Sequence, residues 1–299
     1  MNVGVIGAGY WGKKHADEYT QTGASVTVSD LIDSNLKECK ERFNCKTTRD
    51  YNDILSDDNI KGVSICTPNK THYDICKECL HAGKNVLVEK PMTLDYDKAR
   101  ELIEIAKSRG LVLAVGHLYR FNNAVRKVKE LVDGGELGDI LAVKMSWTYL
   151  EPIFKDRDIL FDLAIHPLDI LHFIFGRLPD NMSALARGFR QENEEIAFVN
   201  GTLGSTVVHF DLSWLTPEKA RDMLIVGSNK TVFVKLVMQK VKLRDNNTLE
   251  DREIEISESN TIREELEDFM GCIEDKREPI ARADIGADVV RAVQNIRKL

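Results

Sequence analysis

Through the first 119 residues, short apolar runs take turns with stretches whose apolar positions recur every three or four residues. The runs at 3–6, 25–29, 62–66, 85–88 and 111–115 predict buried strands. The stretches at 13–19, 36–43, 72–82 and 97–109 predict helices, with a shorter one at 51–55, and Gly83 and Gly110 stand where helices end. Strands and helices in alternation specify an α/β architecture with a parallel, doubly wound sheet. After about residue 120 the pattern changes. A helix at 124–132 closes on Asp133-Gly134-Gly135, and 141–149 alternates like a half-buried strand. Strand-like runs follow at 182–188, 195–203, 204–214, 221–226, 231–237, 241–243 and 253–256. Asn200-Gly201 and Gly227-Ser228-Asn229-Lys230 read as turns between them. Helices at 264–273 and 285–296 close the chain. The expected organisation is two domains, 1–119 and 120–299, the second an α+β domain on a large, mostly antiparallel sheet. One sheet face packs on a helix. The other, carrying Val143, Met145, Trp147, Val208, Phe210 and Leu212, is expected to meet a second subunit in a homodimer or homotetramer.

One stretch departs from simple amphipathicity. Residues 158–175 are almost wholly apolar except for Asp158, Asp162, His166, Asp169 and His172, spaced by four, four, three and three. At helical periodicity these form one polar stripe. An acid or imidazole held against such a core costs several kcal/mol unless paired. The stripe is therefore either a functional group or a satisfied structural pair. Pro167 lacks an N–H and leaves the Leu163 carbonyl open, so a helix through it kinks, which is one way to aim His166 into a cleft.

The first predicted strand runs into Gly7-Ala8-Gly9-Tyr10-Trp11-Gly12 and then a helix, and the second strand ends at Asp30. This is a βαβ unit with G-x-G-x-x-G on its first turn, the sign of a Rossmann domain. Gly7 permits the tight turn, Gly9 lets backbone approach a pyrophosphate, and Gly12 lets helix and strand pack closely. The helix N-terminus offers N–H groups and its positive dipole end. Asp30 is placed to accept from the adenosine ribose hydroxyls and to repel a 2′-phosphate. With Leu31, Ile32 and Asp33 following, this favours NAD over NADP; Asp also serves in such places as a turn residue. Ligands on doubly wound sheets bind beyond the strands' carboxyl ends. Thr67-Pro68-Asn69, Glu89-Lys90-Pro91 and Gly116-His117 all fall there. Lys90, at the end of a buried strand, is placed either to stabilise a developing alkoxide or to snorkel to solvent.

Composition narrows the classes. The chain has 299 residues, 43% hydrophobic and 30% charged, with a net charge of −7 and pI near 5.6. Two domains are the default at this length, and the acidity argues against nucleic acid as a partner. No window approaches the ~20 apolar residues of a membrane span, and no secretory signal precedes the first strand, so a cytoplasmic location is expected. Of six cysteines, Cys76 and Cys79 have C-x-x-C spacing, but no second pair completes a zinc site; they read as helix core, with a redox pair as the alternative. No metal is expected.

Four motifs occur in order: Gly7-x-Gly9-x-Trp11-Gly12-x-x-His15, Thr67-Pro68-Asn69-x-Thr71-His72, Glu89-Lys90-Pro91 and Asp162-x-x-x-His166-x-x-Asp169. Together they resemble the glucose–fructose oxidoreductase/inositol dehydrogenase family of NAD(P)-dependent sugar and polyol dehydrogenases. The resemblance implies a catalytic group of Lys90, Asp162 and His166. It implies cofactor contacts from Gly7, Gly9, Tyr10, Trp11, Gly12, Asp30, Thr67, Pro68, Asn69, His72, Glu89 and Lys90. Ala164 stands where many members have Gly. Residues 116–122, 161–166 and 214–221 are similar to a narrower branch, the UDP-N-acetylglucosamine 3-dehydrogenases, although Asn123 stands where that branch often has Pro. That likeness implies NAD-dependent oxidation of a sugar C3 hydroxyl to a ketone. It implies substrate contacts from Lys90, His117, Arg120, Asn122, Asp162, His166 and Arg221, with Arg120 and Lys219 or Arg221 at the diphosphate. Two other readings stay open: an inositol or free-sugar dehydrogenase, and a non-catalytic dinucleotide-sensing regulator.

Overall fold

Six strands form the first sheet in the order β3-β2-β1-β4-β5-β6, all parallel: β1 (Asn2–Ile6), β2 (Ser25–Ser29), β3 (Lys46–Thr48), β4 (Ile60–Ile65), β5 (Asn85–Val88) and β6 (Leu113–Val115). Their interiors are apolar on successive positions, as a sheet covered on both faces requires. The connecting helices are α1 (Tyr10–Gln21), α2 (Asp33–Phe43), α3 (Asn52–Ser56), α4 (His72–His81) and α5 (Tyr96–Arg109). Val3, Val5, Tyr19, Val28 and Phe43 fill one core; Ile54, Val63, Ile65, Leu80, Val86 and Leu102 fill another. Cys76 and Cys79 lie fully buried in that second core. Burial pushes the Cys79 thiol up to about 12, so both behave as small apolar side chains. The strand order reverses between β1 and β4, where such sheets open a ligand crevice. The short strand β3 is absent from the sequence pattern, because its Lys-Thr-Thr shows no apolar run.

The computed structural model describes residues 1–153 and 158–297. Beyond the first sheet come α6 (Asn123–Asp133), β7 (Ile140–Leu150), a π-helical turn Leu160–Ala164, and α7 (Ile165–Phe175). Then follow β8 (Asp180–Arg187), β9 (Ile196–Leu203), β10 (Thr206–Ser213), β11 (Leu215–Gly227), β12 (Lys230–Lys235), β13 (Lys240–Asp245) and β14 (Asp251–Ile254). They form an eight-stranded sheet, β14-β13-β12-β11-β7-β10-β9-β8, antiparallel except for the β7–β10 pair. Ser228-Asn229 turns β11 into β12 as expected. The β9–β10 turn is Gly204-Ser205, not Asn200-Gly201, which lies inside β9. Gly204 has the positive φ of 64° that suits glycine there.

The sheet's apolar face calls for a correction. Val143, Met145, Trp147, Val208, Phe210 and Leu212 are all 2% exposed or less. This is the core of the chain itself: the π-helical turn packs on β10, and α6 packs on β12 and β13. Alternation had grouped these residues correctly but placed them on the outside, and a second subunit is not what covers them.

Two last helices, α8 (Thr261–Asp275) and α9 (Ala283–Arg297), change the domain division. Leu266 and Phe269 of α8 join the core that holds Val5 and Val28, and Ala283 and Ala287 of α9 join the opposite one. The chain divides into Met1–Leu118 with Asn260–Val290, and Tyr119–Ser259 with the residues from Arg291 on. The single cut expected after residue 119 misses this return, because a closing helix with one apolar face does not announce which sheet it covers. No described helix is long and apolar enough to cross a membrane.

Candidate active site

The first unit carries the glycine turn. Gly7 has φ +91°, and a Cβ on it would meet the Cys66 carbonyl oxygen at 2.7 Å. A Cβ on Gly12 would sit 1.7 Å from the Gly7 carbonyl oxygen, so turn and helix close on each other only with glycine there. Gly9 differs: nothing lies within 4 Å of where its Cβ would be. Gly9 is also the N-cap of α1 and places no side chain on the first helical N–H groups. An open approach to uncapped N–H groups fits a pyrophosphate. Tyr10, 71% exposed, and Trp11 stand beside it edge to face at 5.4 Å.

Asp30 serves the turn directly. One carboxylate oxygen accepts from Ala8 N at 2.6 Å, the other from Ile32 N at 2.8 Å and Asn35 Nδ2 at 3.4 Å. A carboxylate has about four acceptor positions, which leaves capacity for a ribose hydroxyl. Arg49, which sequence order hides, reaches this corner from beyond β3. It donates to the Leu31 carbonyl and pairs with Asp33 at 3.1 Å.

At the ends of β4 and β5 sit the Thr67-Pro68-Asn69 and Glu89-Lys90-Pro91 segments. Thr71 Oγ1 bonds Thr67 Oγ1 at 2.8 Å and the Pro68 carbonyl at 2.7 Å, shaping the first segment. Glu89 is 5% exposed and takes His15 Nε2 at 3.1 Å and Lys90 N at 3.2 Å on its two oxygens. Lys90 is half-buried, and its peptide bond to Pro91 is cis. His117 is buried at the end of β6. His72, expected at the cofactor, is fully buried. Its ring nitrogens face the carbonyls of Pro91 at 2.7 Å and Thr67 at 2.8 Å, so the ring is committed to protein backbone. Burial holds its pKa below the usual imidazole value.

In the second unit, the polar stripe divides into three parts. Asp158 caps the helix, accepting from Leu160 N at 2.9 Å and Phe161 N at 3.2 Å. Asp169 takes the Arg120 guanidinium at 2.7 Å, with His172 Nδ1 3.3 Å from the same group. Asp162 and His166, between these two groups, complete the stripe. Asp162 is 8% exposed; His166 is half-exposed. The helix widens to π geometry over Leu160–Ala164, directly before Pro167, where an α turn would drive the proline ring against the Leu163 carbonyl.

Two aromatic rings flank His166: Tyr119, and Trp147, which only the period-two alternation of β7 signals in the sequence. The imidazole stacks on Trp147 with centroids 5.8 Å apart and planes at 19°, and Tyr119 meets it edge-on at 5.4 Å. Tyr119 in turn lies edge-on to Trp147 at 5.3 Å, and burial pushes its phenol up to about 12. Arg221 lies 4.3 Å over the Tyr149 ring and 5.6 Å from the centre of Trp147. Its Nη1 donates to the carbonyls of Thr148 at 3.2 Å and Ala220 at 2.8 Å. Burial lowers the Arg221 pKa against the opposing pull of Tyr119, Tyr149 and Asp162. A ring so braced has a fixed plane, which suits it to accept a proton from one direction. Lys219 is exposed.

Two expected substrate contacts are structural instead. Arg120 is 4% exposed and engaged by Asp169, so its fork is not offered to a diphosphate. Asn122 caps α6, accepting from Ala124 N at 3.0 Å and Val125 N at 3.2 Å while donating to the Leu236 carbonyl. The partner that decides Arg120 is distant in sequence, whereas the capped groups that decide Asn122 lie two and three residues on.

The glycine turn at the head of α1, on a parallel doubly wound sheet, defines a dinucleotide-binding protein. Residues 1–117 match the model of the oxidoreductase family with an NAD-binding Rossmann fold, and residues 125–233 match the GFO/IDH/MocA C-terminal domain. The chain belongs to this family, and NAD is its cofactor class. It is 26% identical to UDP-N-acetylglucosamine 3-dehydrogenase of Acidithiobacillus ferrooxidans over 99% of this chain and 96% of that one. The solved structure of that enzyme superposes with a TM-score of 0.88 and covers 100% of this chain and 97% of its own. Myo-inositol 2-dehydrogenase of Thermotoga maritima is 29% identical over 59% of this chain and 55% of its own length. Levoglucosan dehydrogenase in complex with NADH and levoglucosan, 18% identical, shares the fold with a TM-score of 0.90, covering 100% of this chain and 96% of its own.

Proposed function

We propose that this protein oxidises the C3 hydroxyl of UDP-N-acetylglucosamine to the 3-keto sugar nucleotide, with NAD as acceptor. The first unit binds the dinucleotide and the second the sugar. The observation that carries the reading is the likeness to a UDP-N-acetylglucosamine 3-dehydrogenase along 99% of the chain, and His166 braced by Trp147 and Tyr119 supports it. His166 takes the hydroxyl proton on a ring nitrogen; imidazole suits this near neutral pH. Asp162 orients that ring or shares the substrate hydroxyl. Lys90 stabilises the negative charge that develops on oxygen. Bound NAD supplies the hydride acceptor. With Arg120 engaged elsewhere, the diphosphate falls to Arg221, which also bonds the carbonyls of Thr148 and Ala220 and the Tyr149 side chain.

The test incubates enzyme, NAD and UDP-N-acetylglucosamine with a ketone trap, because alcohol oxidation by NAD is uphill near neutral pH. A product two hydrogens lighter by mass spectrometry is the expected result. No such product, together with ready oxidation of inositol or free glucose, moves the assignment to a polyol or free-sugar dehydrogenase. No redox change with any sugar leaves the dinucleotide-sensing reading.

Cofactor choice rests on Asp30. Its charge and its ribose bond favour NAD, and Arg49, paired with Asp33, does not offset them. Calorimetry is expected to show tighter NAD than NADP binding, with the gap narrowed in Asp30→Ser. Tighter NADP binding by the unaltered protein would refute the assignment.

A further inference from the structure

The chemistry proposed above uses Lys90 but leaves open what fixes the short segment that carries it. Two buried histidines grip that segment. His15 of α1 bonds the Glu89 carboxylate, which also accepts from Lys90 N. His72, the first residue of α4, acts one residue further on, at the Pro91 carbonyl, and also reaches the Thr67 carbonyl. We propose that His72 is a positioning residue for Lys90: its ring spans the carbonyls of Thr67 and Pro91, so that the segments after β4 and β5 are held as one piece.

The geometry carries this in three ways. The two nitrogen–oxygen distances, 2.7 and 2.8 Å, are both short, so the ring fills the gap between the segments with no slack. The ring is fully buried and exposes no nitrogen, so it has no role as ligand or proton carrier. Both carbonyls belong to residues next to those expected to touch cofactor or substrate: Thr67 precedes Pro68-Asn69, and Pro91 follows Lys90. A carbonyl oxygen is satisfied only by a donor, and a neutral ring has one N–H. The imidazolium, opposed by burial and favoured by the two carbonyls themselves and by Glu89, donates to both. The imidazolium therefore ties both carbonyls to the helix, whereas the neutral ring ties one and turns a lone pair toward the other.

The inference rests on the proposed use of Lys90 in sugar oxidation, and the test separates the two. His72→Phe keeps the ring's volume and removes both ring nitrogens. His72→Gln keeps one donor and serves if the first variant folds poorly. With UDP-N-acetylglucosamine and NAD, His72→Phe is expected to lose about 10- to 100-fold in kcat, as a displacement of about 1 Å would cause. KM for the sugar and Kd for NAD should hardly move, and His72→Gln should recover part of the loss. Independently of turnover, reductive methylation read by peptide mass spectrometry should modify Lys90 several-fold faster in His72→Phe, relative to exposed Lys70. An unchanged Lys90-to-Lys70 ratio, or a kcat equal to that of the unaltered protein, would overturn the proposal. A raised ratio in a protein that turns over no sugar leaves the positioning role standing and removes the functional reading instead.

Discussion

Alanine in place of His166 will reduce sugar oxidation by about 10²–10⁴ while leaving the fold and NAD affinity intact. The ring is half-exposed and stacks on Trp147, which is itself 1% exposed and packed from other sides, so losing the imidazole opens no closed cavity. The glycine turn lies in the other unit and keeps its own hydrogen bonds. Steady-state rates give the loss, and calorimetry with NAD gives the control. A variant with near-wild-type turnover would remove His166 from its assigned role. Lys90→Ala is expected to behave alike, since it withdraws the charge that stabilises the developing alkoxide.

The second large effect separates two glycines three residues apart. Gly12→Ala puts a methyl group 1.7 Å from the Gly7 carbonyl oxygen, a contact that only backbone movement relieves. It is expected to destabilise the protein by about 3 kcal/mol and to abolish NAD binding. Gly9→Ala meets nothing within 4 Å, so the free protein should melt at an unchanged temperature. Its NAD affinity should nevertheless fall at least tenfold, about 1.4 kcal/mol, because the methyl stands where the pyrophosphate approaches. Thermal melts and calorimetry on both variants check the pair. Unimpaired NAD binding by Gly9→Ala would mean that the dinucleotide lies elsewhere.

Local features were legible in the chain, and distant pairings were not. The glycine turn, Asp30 and the alternating strands rest on spacings of a few residues, which any reading of periodicity finds. Asp162 and His166 stood out for a similar reason, as polar residues at helical spacing in an apolar run. What spacing could not supply was the partner of each polar side chain. Asp169 meets Arg120 49 residues away, so Arg120 could not be told from a substrate contact; Asn122 has a distant bond too, to the Leu236 carbonyl, but its cap on α6 is local. Asp158 looked like a member of the stripe because a capping residue continues the helical period by one step. The apolar face of β7 and β10 was recognised as apolar, but alternation alone does not say which side of a sheet the helices take.

The return of α8 to the first sheet has a consequence for how the protein is made. A ribosome delivers residues 1–118 well before it delivers Leu266 and Phe269, which complete the core around Val5 and Val28. Gly62, on the central strand β4, has no side chain of its own and faces Phe269 and Ile273, so it presents bare backbone until they arrive. The nascent N-terminal sheet thus waits with an uncovered apolar patch while some 140 further residues are synthesised, a window open to chaperones and to aggregation.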